Sequence, residues 1–83
     1  MDINKKAQEQ LIEMFSTYLK GGKKKAVKLA EAIYENFSAA TGSLLDKPTS
    51  DAVNLAGELW IKGNITKEKA ETILKDLKQL QKS

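Results

Sequence analysis

The sequence predicts an all-α fold, an antiparallel four-helix bundle of up-down topology, and three observations carry that prediction. Apolar residues recur at helical spacing in four separate stretches, and no segment alternates at period two for long enough to make a strand. Four of the five glycines, with the single proline Pro48, fall between those stretches and punctuate them. The implied connections are two to about six residues long, which sets sequential helices antiparallel.

The first helix is expected near residues 3–20, where Ile3, Ala7, Leu11, Met14, Phe15 and Tyr18 form one stripe, widened by Ile12 and Leu19. Gly21 and Gly22 end it. The second is expected near 23–41, with Ala26, Leu29, Ala30, Ile33, Phe37 and Ala40 in phase and Gly42 as its C′ residue. Residues 43–47 connect, with Leu44 and Leu45 folding back onto the core. A third helix near 49–62 takes Thr49 or Ser50 as its cap, Pro48 in its first turn, and stops at Gly63 and Asn64. Thr66 caps the fourth, near 66–81, whose seam is Ala70, Ile73, Leu74, Leu77 and Leu80. Glu68 in its first turn suits the helix dipole, and Glu71 and Lys75 make an i, i+4 pair. Phe15, Ile33, Phe37, Leu59, Leu74 and Leu77 are the expected large core residues. Gly57 lies inside the third helix at a cost of about 1 kcal/mol relative to Ala, which a close helix crossing explains.

Eighty-three residues make one domain, 1–83, near the size where a single core gives thin stability. The chain contains no histidine, no cysteine and no arginine. These absences remove the default general base at neutral pH, thiolate chemistry, disulfides, nearly all structural zinc sites, and the bidentate fork preferred for phosphate and guanine. The acids Glu9 and Glu13, Glu31 and Glu35, and Glu68 and Glu71 stand one turn apart, but a di-metal carboxylate bundle also needs histidines. The expectation is therefore a protein that is not an enzyme, with no catalytic residues, no metal and no cofactor. No apolar run approaches the roughly 18 residues of a membrane span, and residues 1–6 lack a secretory apolar stretch. The expected address is the cytoplasm. All fourteen basic residues are lysine, which points to an AT-rich genome.

The sharpest local conflict is Gly21-Gly22 followed by Lys23, Lys24 and Lys25. Three lysines at a helix start oppose its partial positive charge. With Lys20 and Lys28 they set five ammonium groups around free backbone N–H donors, an anion-site pattern. A solvated hairpin tip accounts for the same lysines without a ligand. The spacing is not that of a phosphate-binding P-loop. The single tryptophan, Trp60, beside Ile61 and Lys62, either completes the core or anchors a partner. In an up-down bundle the first and third connections share one end. Lys20, Lys23, Lys24, Lys25 and Lys28 then form a composite partner-binding surface with Trp60 and Lys62, suited to an acidic protein. The tyrosine hydroxyls are expected to reach water.

The stretch from Ala56 to Leu77, with the step Lys62-Gly63-Asn64-Ile65-Thr66 leading into a Leu-rich last helix, resembles the corresponding region of pediocin-like (class IIa) bacteriocin immunity proteins. Those are small, basic, cytoplasmic antiparallel four-helix bundles from AT-rich Gram-positive bacteria. The resemblance covers roughly a quarter of the chain, and this step lacks the family's aromatic residue. It implies an immunity-type protein, and with no catalytic constellation and a compact, charged surface the expected action is binding of another protein, as an immunity-type or phage-type antagonist or regulator. The segment Ile65–Glu71 is also similar to a step in phasin-like proteins that coat polyester granules, which implies a self-associating helical coat. The net charge of +3 leaves a further alternative, a lysine-cluster binder of nucleic acid or an acidic membrane surface. Against a helix-turn-helix reading, the last helix would bring Glu68, Glu71 and Asp76 towards phosphate.

Overall fold

The short polar side chains at the helix starts decide where the chain begins to turn. In a computed structural model describing residues 2–82, the Asp2 carboxylate accepts the Asn4 N–H at 2.9 Å and opens α1, Ile3–Leu19. Helix α2 covers Lys23–Phe37 and runs into one 3-10 turn, Ser38–Ala40. Helix α3 covers Lys47–Lys62 and α4 covers Lys67–Lys82. No strand occurs among the described residues. The architecture is the expected all-α four-helix bundle.

Two boundaries differ from the sequence reading, each for a local reason. Helix α2 stops at Phe37 instead of 41, because the chain tightens there and the Ala40 carbonyl accepts from the N–H groups of Ser43, Leu44 and Leu45. Helix α3 starts two residues early, capped by Asp46, whose carboxylate accepts the Thr49 N–H at 3.0 Å. Thr49 and Ser50 are therefore not caps. Both are buried and spend their hydroxyls on tertiary bonds. Pro48 lies in the first turn, and Thr66 caps α4 by accepting the Lys69 N–H at 3.2 Å, both as the sequence indicates. Gly63 closes α3 with φ of +78°, a conformation that side chains resist.

Packing follows an up-down order. Helix α1 packs against α2 and α4, α2 against α1 and α3, and α1 also meets α3 across the diagonal. The pair α3 and α4 makes sparse contact. The core contains Leu11, Met14 and Phe15 from α1, Ile33 and Phe37 from α2, Val53 and Leu59 from α3, and Leu77 from α4. Leu45 and Ile65 enter it from the connections. Helix α4 itself buries only Ala70 and Leu77.

Several side chains depart from expectation. Leu74 is only half-buried, because it lies towards the edge of α4's narrow apolar stripe. Of the leucine pair in the second connection, Leu45 is buried and Leu44 is 67% exposed. Glu71 and Lys75 do not pair; the ion pairs among the described residues are Lys47–Asp51 at 3.5 Å and Lys69–Glu58 at 3.9 Å. Gly57 does mark a close crossing, since a Cβ there would come within 2.5 Å of the Tyr34 ring. Gln8 is buried, donating to the Thr49 hydroxyl at 3.0 Å and accepting from the Gln81 side chain at 3.4 Å. It links α1, α3 and α4 through the core.

Candidate functional site: the lysine-ringed end

The connections α1–α2 and α3–α4 meet at one end of the bundle, and Tyr18 joins them. Its hydroxyl donates to the Ile65 carbonyl at 2.7 Å and accepts the Ile65 N–H at 3.1 Å. This hydroxyl is thus held by backbone instead of reaching water. A crevice of about 340 Å³ between the two connections is lined by Tyr18, Leu19, Gly21, Lys23 and Lys67. Lys67, which the sequence reading left out, thereby joins the cluster.

Lys20, Lys23, Lys24, Lys25, Lys28 and Lys62 are all exposed, and neither ion pair among the described residues includes any of them. Gly22 starts α2 without any side-chain cap, so the lysines surround an uncapped helix N-terminus. Lysine predominates at this end, with Glu68 in the first turn of α4 as the neighbouring acid. Residues 14–30 hold five lysines and no acid, and residues 59–67 hold Lys62, Lys67 and no acid. Seven of the fourteen lysines therefore gather here, and the other seven are outnumbered by eleven acids over the rest of the molecule. A net charge of +3 conceals this polarity.

Trp60 has its contact on the inner side, with another helix. It is half-buried in the α2–α3 seam, its ring 6.1 Å from that of Tyr34 and inclined by 47°. The exposed apolar side chain at this end is Ile61, 76% exposed and next to Lys62. Sequence reasoning passed over Ile61, although a signal existed: it follows Asn54 by one heptad, on the polar side of α3, where an isoleucine breaks the amphipathic pattern. An exposed apolar side chain next to a charged one is the kind of surface that a protein partner buries.

The carboxylates show no comparable convergence. Glu9, Glu13, Glu31, Glu35, Glu68 and Glu71 are exposed. Among the described residues no group of three or more acids could hold a metal ion, and no helix is long and apolar enough to cross a membrane. Comparison with protein-family models, curated proteins and solved structures returns no match.

Proposed function

We propose that this protein is a non-enzymatic binding domain that docks its lysine-ringed end onto an acidic face of a protein partner. The observation that carries the reading is the segregation of charge: seven lysines without one acid in the two segments that meet at Tyr18. Long-range attraction from such an end steers encounter, and exposed Ile61 supplies apolar area to bury on contact. An immunity-type or phage-type antagonist or regulator of a larger protein assembly, acting in the cytoplasm, is the concrete form of this reading. The immunity-type form draws on the likeness of residues 56–77 to bacteriocin immunity proteins.

The second reading uses the same lysines on nucleic acid or an anionic membrane. Ile61 and the acid-rich remainder of the molecule favour the protein partner, because an extended polyanion would meet the carboxylates as it passed beyond the basic end.

The test is affinity capture from the host's lysate, followed by titration of the captured protein against the wild type and two variants. K23Q/K24Q/K25Q and I61S should each keep the helical circular dichroism spectrum. The triple variant is expected to be slightly more stable, because it relieves the conflict with the α2 dipole. Each should weaken the complex at least tenfold. Recovery of nucleic acid alone, with affinity falling steeply between low and physiological salt, would favour the polyanion reading instead. Unchanged affinity in both variants would remove this end from the interface.

A further inference from the structure

The side of the bundle between α3 and α4 is open. A groove of about 420 Å³ lies there, its floor containing Leu55 and Ile73. A second depression of about 560 Å³ is lined in part by Pro48 and Leu80. The antiparallel register marked by the Lys69–Glu58 pair puts Leu55 opposite Ile73 and Pro48 opposite Leu80. The two depressions therefore lie in line along one seam, roughly the length of a short helix. All four floor residues are half-buried, so each keeps apolar surface in water.

The rim has the opposite charge to the lysine-ringed end. Asp51, Glu58 and Glu68 border the first depression, and Asp76, together with Lys82, the second. Lys69 is the cation in the first depression, and it is spent on Glu58. Asp51 pairs with Lys47 at 3.5 Å, and over the linings of the two depressions four acids stand against two lysines. That excess of carboxylates favours a cation placed along the rim. Groove-to-groove pairing of two copies would instead bring these acids together.

From this apolar floor and carboxylate rim we infer that the α3–α4 groove is a docking site for a basic amphipathic helix of a partner protein. Its apolar side chains, at i, i+3, i+4 and i+7, lie along Leu55, Ile73 and Leu80, and its lysines or arginines meet Asp51, Glu58 and Asp76. This surface is separate from the lysine-ringed end, so the protein has two binding faces of opposite charge.

The probe is a fluorescein-labelled helical peptide built of leucine and lysine at that spacing, with a leucine/glutamate peptide of the same pattern as its control. Anisotropy should show the lysine peptide binding at least tenfold more tightly. E58Q/D76N should weaken it about tenfold, whereas K69Q should strengthen it several-fold by removing the competing cation, a gain that general structural damage does not produce. K23Q/K24Q/K25Q should leave it unchanged, which separates this site from the lysine-ringed end. Amide chemical shifts should move at Leu55, Ile73 and Leu80. Equal binding of the two peptides, shifts confined to other faces, or unchanged affinity in E58Q/D76N and K69Q would each overturn the inference. Self-association of the free protein through these residues, seen by sedimentation, would assign the groove to a second copy and overturn it as well.

Discussion

The Tyr18 hydroxyl satisfies both backbone polar groups of Ile65, forty-seven residues away, donating to one and accepting from the other. Ile65 is buried, and a buried peptide group without partners is costly. One phenol on α1 thus does for the α3–α4 connection what a strand partner does in a sheet. It also fixes where the two basic segments meet.

Y18F removes both bonds while keeping the ring. The expected loss is about 1–3 kcal/mol, since the Ile65 N–H and carbonyl lose their partner. Urea unfolding measures it. Helix content should be unchanged, and amide exchange at Ile65 should accelerate more than at any position in α2. An unchanged unfolding midpoint would show that water replaces the hydroxyl without penalty.

Leu77 and Leu74 belong to the same apolar seam of α4 but differ in burial. L77A should cost about 2–5 kcal/mol, which is much of the stability of a domain this small. L74A should cost about 1–2 kcal/mol, in proportion to the smaller area that it removes from water. Equal losses in parallel thermal melts would show that α4 turns its seam differently.

Gly57 tests whether close approach outweighs helix propensity. Alanine is better than glycine inside a helix by about 1 kcal/mol. A Cβ at this position, however, would press on Cε1 and Cδ1 of Tyr34 at 2.5 and 2.6 Å. Overpacking of that kind costs about 1–3 kcal/mol, so G57A should be destabilising. It should also shift the emission of Trp60, whose ring leans on Tyr34. A more stable variant with unshifted emission would refute the crossing.

Local rules and tertiary context divided the chain between them. The 3.6-residue pattern marked every helix, and the glycines and Thr66 marked several of their ends, because those signals depend only on neighbours in sequence. Asp46, Thr49 and Ser50 all look like caps, and sequence order alone does not rank them. The choice fell to Asp46 because Gln8 engages Thr49 from α1 and because Ser50 both accepts the Gly42 N–H and donates to the Leu45 carbonyl. The lysine cluster was legible as a composition anomaly. Its partners Lys67 and Ile61 were less so, since nothing local says that residues 61–67 meet residue 18. Trp60 was legible only as a choice between core and partner anchor, as its neighbour Tyr34 belongs to another helix. The α3–α4 groove was not legible at all. It arises from how far apart two individually ordinary helices stand.

Helix α4 keeps a different clock from the rest of the bundle. Its own buried residues are Ala70 and Leu77, and its two ends are tied to α1, by Tyr18 at Ile65 and by Gln8 at Gln81. Helices α1 and α2 each close against the helix next in sequence, whereas α4 must return to the first helix across the whole chain. Loop closure of that length is slow to form, and an element with few buried side chains is quick to release. The docked lifetime of α4 therefore sets how long the α3–α4 seam persists as a formed surface. A helix seated in that seam would lengthen this lifetime, so occupancy would appear as slower solvent exchange along α4 before any change in the global unfolding midpoint.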